Sequence, residues 1–261
     1  MASMIDQLAL EHEVGRLLEV LYAKRFASLE KLSLATLLSK NPYLYRALGE
    51  SEPVSLIKQM LIARVSSSDE TIFGNDFFEP LAIYAAKSAF TGRPNCTVTV
   101  GAGAGQDIAV ETASEYLAIS VKSGTNIFNS QSQKGQSSEF NALQARMKKL
   151  GKMFRPIVGY GYGRKSAKKP TNEERIAGQA FWQLLTGEED FYLRISRAMD
   201  LHARTHWTQY SEAFERRYRL LLREFMDEFM AASGEINWDR LVEMNSSVQR
   251  PAKPKRAAIT S

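Results

Sequence analysis

Cysteine, histidine and long apolar stretches are scarce in this 261-residue sequence. A lone Cys96 cannot close an internal disulfide. With only His12, His202 and His206 beside it, a zinc centre built from Cys and His has too few ligands. If a metal is involved, oxygen must hold it. No window approaches the roughly 18 apolar residues of a membrane helix, and Met1 to Gln7 lacks the basic-then-apolar layout of a signal peptide. The expectation is a soluble, cytoplasmic protein with no membrane association. With 44% hydrophobic and 24% charged residues, the chain is neither disordered nor fibrous.

Acidic residues are absent between Glu139 and Glu173, where Arg146, Lys148, Lys149, Lys152, Arg155, Arg164, Lys165, Lys168 and Lys169 accumulate. The whole chain carries a formal charge of only +5, so the distribution matters more than the total. Such a local positive field suits a polyanion. The plainer alternative is a solvated helix face followed by a basic loop.

Apolar residues at helical spacing fill residues 5–38, and Asn41-Pro42 interrupts them. A second helical stripe over residues 54–65 leads into the polar run Ser66 to Glu70, read as a loop. Asn75 is the expected N-cap of a helix over residues 76–89, with Pro80 and Glu79 in its first turn. The period then changes to two. Residues 97–100, 106–110 and 116–122 alternate as three strands of a meander around the glycine-rich turn at residues 101–105. A helix over residues 129–150 and a fourth strand over residues 157–162 follow. The chain is then helical over residues 180–185 and 191–232, the latter in one piece or two. The expected organisation is a helical region at residues 1–70 serving dimerisation or DNA clamping, an α/β core at 71–190, a helical region at 191–248 and a disordered basic tail at 249–261.

Alternation puts Ser120 on the same face as Lys122, the last residue of the third strand. Asp107 opens the preceding strand, and the two positions face one site if the strands pair as a hairpin. A carboxylate is the natural oxygen ligand for Mg²⁺. A lysine beside it can orient or deprotonate an attacking water and neutralise charge developing on a phosphate.

Asp107, twelve intervening residues, then Ser120-Val121-Lys122-Ser123-Gly124 resembles the signature of the PD-(D/E)XK nuclease superfamily, in which an acid opens one strand and (D/E)-x-K closes the next. Ser120 stands where that pattern has Asp or Glu. Many members carry a glutamate on the helix before the first core strand, and on that resemblance Glu79 is the candidate for the missing acid. Glu111 is on Asp107's face but about 13 Å along the strand, too far to share an ion. Glu115 sits at the turn before the third strand. The likeness extends to a subset of type II restriction endonucleases through the ordered fragments Asn41-Pro42-Tyr43, Thr71 to Gly74, Lys122 to Gly124, Ile157 to Tyr160 and Gly178 to Trp182.

The resemblance implies a restriction-endonuclease-like α/β core with a small mixed sheet, flanked by helical N- and C-terminal extensions. It also implies a Mg²⁺-dependent homodimer that cuts both strands of double-stranded DNA at a short, specific, palindromic site, with a separate DNA methyltransferase as a possible cognate partner. In that reading Asp107 and Glu79 ligate the metal, the Val121 carbonyl adds an oxygen, Lys122 positions the water and Ser120 contributes a hydrogen bond. Asn129, Gln131, Gln133 and Lys134 follow in a segment dense in amides and hydroxyls that can contact bases and phosphates, while Lys148, Lys149, Arg164 and Lys165 supply electrostatic binding. The alternatives are a nuclease-fold DNA-binding protein with little or no activity, motivated by Ser120, and a repair or structure-specific nuclease. The glycine stretches do not read as phosphate loops, because neither leads into a helix with a Gly-Lys-Ser/Thr ending. His202 and His206, four apart, lack the adjacent Glu of zinc proteases. The aromatic residues of the C-terminal half, Trp182, Trp207 and Trp238 among them, are read as core or interface packing.

Overall fold

Helix α1 (Gln7–Glu30) opens the computed structural model, which is described for residues 5–103, 105–124, 130–164 and 173–248. There follow α2 (Leu34–Leu37), α3 (Pro42–Ala47), α4 (Pro53–Phe73), a π-helical segment (Gly74–Phe78) and α5 (Glu79–Phe90). Next come β1 (Thr97–Gly103), β2 (Gln106–Glu111), β3 (Glu115–Lys122), α6 (Ser130–Lys149), β4 (Met153–Tyr160), β5 (Glu174–Ala177), α7 (Gln179–Thr186), α8 (Phe191–Phe229) and α9 (Trp238–Ser246). The basic tail expected at residues 249–261 lies outside the described residues. Among the described residues, no helix is long and apolar enough to cross a membrane.

Contacts divide the chain into two compact units, residues 1–25 with 69–207 and residues 26–68 with 208–261. The first unit holds a five-stranded mixed sheet in the order β1-β2-β3-β4-β5. The first three strands form the antiparallel meander, and β4 and β5 continue it in parallel. One face of the sheet is covered by α6 through Phe140, Leu143 and Met147 packed against Ala109, Ala118, Val158 and Tyr160. The alternate residues Ile108, Val110, Leu117, Ile119 and Ile157 pack in a second core with Leu81, Ala85, Phe181, Trp182 and α1 residues Leu10, Val14 and Leu17. Both halves of the strand alternation are therefore used, so β2, β3 and β4 are buried on two faces. The chain is a mixed α/β protein, with the small mixed sheet and helical flanks expected from the sequence.

The second unit is helical, with a core of Leu29, Leu37, Leu56, Ile57 and Met60 against Tyr210, Leu221, Phe225 and Phe229. Arg217 Nε donates to the Leu32 carbonyl at 2.8 Å and Tyr218 Oη to the Val54 carbonyl at 3.1 Å. The first satisfies a backbone oxygen just past the C-terminal end of α1 that no helical partner reaches, and the second adds a side-chain donor to a carbonyl of the first turn of α4.

Several sequence expectations change. The polar run Ser66 to Glu70 is not a loop but the continuation of α4. Ser68 hydrogen-bonds Ser28 at 3.0 Å within the second unit, and Asp69 accepts from Arg25 Nε at 2.8 Å within the first. Their side chains are thus taken up by partners on α1 rather than turning back on their own backbone, which is what makes such residues favour loops. Asn75 is not an N-cap but part of the π segment. The cause lies at Pro80, which has no N–H and whose ring would strike the carbonyl four residues back. A wider turn, in which the Glu79 N–H reaches the Gly74 carbonyl, accommodates it. The strand β4 begins at Met153, earlier than its alternation suggests, and β5 and α9 are additions to the sequence reading. Helix α8 is one 39-residue helix. Trp207 on it is 67% exposed, not core.

His206 is only 7% exposed. Its ring stacks on Tyr22 with centroids 3.5 Å apart and 4° between planes. Arg25 Nη1 lies 3.0 Å from its Nε2. A guanidinium only donates, so that ring nitrogen must be unprotonated. Burial first, then the Arg25 charge, push the His206 pKa down to about 4, against an opposing pull from Asp69. Unfolded histidine titrates near ~6.5, so the unfolded chain takes the proton first as pH falls. The stabilisation is fully present above ~6.5 and is lost as pH falls through about 4, on the order of 3 kcal/mol in all. Urea unfolding at pH 7 and pH 4 should therefore show a larger loss in the wild type than in His206→Gln; equal losses would refute it.

Candidate active site

The β2–β3 register runs to Ile108 opposite Ile119, and continued by one residue it sets Asp107 opposite Ser120. There the side chain takes over from the backbone. Asp107 Oδ2 accepts the Val121 N–H at 2.7 Å and, more weakly, the Ser120 hydroxyl at 3.4 Å. Ser120 is 1% exposed and cannot swing away. An ionised acceptor makes the 2.7 Å bond a strong one, so Asp107 is fixed in orientation while Oδ1 accepts no hydrogen bond from a described residue. Lys122 follows on the same face, half-buried, its carbonyl accepting the Gly161 N–H of the chain leaving β4 at 2.8 Å.

Glu79 reaches this cluster from the first turn of α5. Its pKa is raised, chiefly by burial and next by the Asp107 charge; Lys122 opposes the rise and Asp76 adds to it. Asp76, on the π segment, is ion-paired with Lys24 of α1. The π segment comes close to the end of β3 at Gly74. A Cβ there would stand 3.1 Å from both Cβ and Oγ of Ser123, the residue after Lys122. The helix carrying Glu79 is thus seated against the strand end that carries Lys122.

One carboxylate and one ammonium therefore both act on Glu79 at the C-terminal end of a parallel strand, the place where open α/β sheets bind ligands. The residues fit a hard divalent cation. The Asp107 charge raises the cost of ionising Glu79, which a cation would relieve; Asp107 Oδ1 accepts no hydrogen bond from a described residue, and Mg²⁺ needs only one or two carboxylates beside water and substrate phosphate. Among the described residues no group of three or more His, Cys, Asp and Glu side chains forms a closed metal cage.

The fold brings Asp107, Ser120, Val121, Lys122 and Glu79 together. It does not bring Lys148 and Lys149 to them. These are exposed at the C-terminal end of α6, just before β4 begins, roughly 20 Å along the sheet from the strand ends at the site. Lys134 is exposed near the start of α6, and Arg164 is exposed four residues after β4. Gln131 and Gln133 lie on α6 with side chains outside the described set, and Asn129 and Lys165 fall outside the described residues. The acid-free run is also less uniformly positive in space than in sequence. Lys152 pairs with Glu111, and Arg155 with Glu174 at 2.9 Å and Glu115 at 3.7 Å.

Two polar residues near the cluster were not singled out by sequence. Asp76 stands three before Glu79, a spacing that places both on one helix face and could have signalled it. Gln136 of α6 ends the amide-rich segment that follows Lys122, yet it is buried and donates from Nε2 to the Gly105 carbonyl at 2.5 Å, two residues from Asp107. No curated protein matches the chain. A family model, type II restriction endonuclease EcoO109I, matches residues 9–206.

Proposed function

Because this chain belongs to the type II restriction endonuclease EcoO109I family, whose substrate is DNA, we propose that it is a Mg²⁺-dependent enzyme hydrolysing phosphodiester bonds of double-stranded DNA at a short palindromic site. The observation that carries the reading is the convergence of Asp107 on β2 and Lys122 at the end of β3 on Glu79, whose carboxyl feels both charges. Asp107 and Glu79 hold the cation, with the Val121 carbonyl as a further oxygen. When bound, Mg²⁺ neutralises charge on the reacting phosphate and makes water more acidic. The Lys122 ammonium orients the water for in-line attack on phosphorus and offsets charge on the non-bridging oxygens as the bond to the leaving oxygen breaks. Ser120 steadies the Asp107 carboxylate that it hydrogen-bonds.

Two such sites, one per strand, come from a homodimer, with the helical residues 1–70 serving dimerisation or clamping and the enzyme working in the cytoplasm beside a separate methyltransferase. Asn129, Gln131, Gln133 and Lys134 contact the duplex near the site. Lys148 and Lys149 bind phosphates farther along it, and Arg164 and Lys165 bind phosphates beyond β4. Unmethylated phage DNA incubated with Mg²⁺ should give discrete fragments on a gel and remain intact in EDTA. Intact DNA in both lanes refutes the nuclease and favours the second reading, a DNA-binding protein of the same fold, for which buried Ser120 in place of an acid is the supporting observation.

Glu79 has a distinctive expected signature. Its carboxyl ionises above the ordinary value of about 4.3, so protons compete with the cation from a higher pH than for an exposed acid. The Mg²⁺ concentration giving half-maximal cleavage should rise as pH falls from 7 to 5, and Glu79→Gln should raise it at every pH while flattening that dependence. A Gln variant with wild-type Mg²⁺ dependence would remove Glu79 from the ligand set.

A further inference from the structure

Tyr162 stands just past the end of β4, at the rim of the site, and the mechanism leaves it without a task. Its backbone is held on three sides. The Gly161 N–H donates to the Lys122 carbonyl at 2.8 Å, the Tyr162 N–H to the Ser123 carbonyl at 3.2 Å, and the buried Trp182 Nε1–H to the Gly161 carbonyl at 2.8 Å. Its ring lies over Gly124, where a Cβ would come within 2.5 Å of Tyr162 Cζ and Oη, so the ring position excludes any side chain at residue 124. On its other flank is Phe78, centroids 6.1 Å apart, the residue before Glu79. Despite this seating the residue is 47% exposed, and its hydroxyl is in no described hydrogen bond.

A ring packed between the residue preceding Glu79 and the residues following Lys122, with a hydroxyl that no described residue hydrogen-bonds, is placed to meet a ligand at the site. The side chain offers one donor, and the exposed guanidinium of Arg164 follows two residues later. Donor and cation together suit a phosphate better than a base edge. Resting on the nuclease reading above, we propose that Tyr162 contacts substrate, its hydroxyl donating to a phosphate oxygen of the strand being cut, adjacent to the scissile phosphate. Its work is to hold the backbone in place before Lys122, not to take part in bond breaking.

Tyr162→Phe keeps the ring on Gly124 and Phe78 and removes only the donor. Initial rates of phage-DNA cleavage with Mg²⁺ over a range of DNA concentrations should show KM raised roughly tenfold, the loss expected for a hydrogen bond to a charged group, with kcat within about twofold. Tyr162→Ala should raise KM at least as much. A Phe variant with wild-type KM overturns the proposal while cleavage by the wild type keeps the nuclease reading intact. A Phe variant unchanged beside an impaired Ala variant also overturns it, assigning the contact to ring stacking instead. No cleavage by the wild type removes the nuclease reading and this inference with it.

Discussion

Lys122→Ala is expected to slow DNA cleavage by roughly 10²- to 10⁴-fold while DNA binding in Ca²⁺ changes only a few-fold. In the proposed mechanism the lysine contributes through a charge that matters most as negative charge accumulates on the phosphate, so its removal falls on kcat rather than on ground-state binding. The fold should tolerate the change. What fixes this position is main chain: its β3–β4 pairing opposite Tyr160 and its carbonyl bonded to the Gly161 N–H. The side chain is only half-buried. Lys122→Arg should not restore the rate, because a planar guanidinium is bulkier and presents its donors in a fixed fork. An alanine variant retaining most of the wild-type rate in single-turnover kinetics would dismiss Lys122 from the reaction.

Asp107 allows a sharper separation of structure from chemistry. Asp107→Asn retains an acceptor oxygen for the Val121 N–H and the Ser120 hydroxyl but loses the charge. Asp107→Ala loses both and leaves the buried Val121 N–H unsatisfied, at about 1–3 kcal/mol. If Asp107 ligates the cation as proposed, both variants should cut at least roughly 10³-fold more slowly, because that ligand is lost. Thermal unfolding should distinguish them, with the asparagine variant near wild type and the alanine variant several degrees lower. Cleavage surviving in the asparagine variant would refute Asp107 as a ligand.

The part of this site that sequence discloses is the part built from local pattern. Residues 106–110 and 116–122 alternate, so they read as paired strands, and pairing alone puts Asp107, Ser120 and Lys122 on one face. What escapes are features decided by partners distant in sequence. The run Ser66 to Glu70 has loop composition, and only Arg25 and Ser28 on α1 explain why it is helical. The four residues of β5 carry no alternation of their own and are strand because β4 templates them. Lys152 and Arg155 look like free positive charge until the sheet brings Glu111 and Glu174 to them. Lys148 and Lys149 follow Lys122 by fewer than thirty residues, yet the crossover carries them to the other end of the strands.

The π segment makes the connection between α4 and α5 sensitive to chain length in a way that substitution does not probe. A π turn is an α-helix carrying one surplus residue, and each residue of an α-helix advances the angle by about 100°. Losing a single residue between Gly74 and Phe78 would restore an uninterrupted α register, turning the Leu81, Ala82 and Ala85 stripe by that angle relative to Ile72 and Phe73. Glu79 and the apolar stripe of α5 would turn together, so seating that stripe on the sheet with Glu79 towards Lys122 would swing Ile72 and Phe73 out of the core they now pack against. The length of residues 74–78 therefore sets the phase between the buried face of α4 and that of α5, and removing one residue there is expected to cost more stability than substituting any of them.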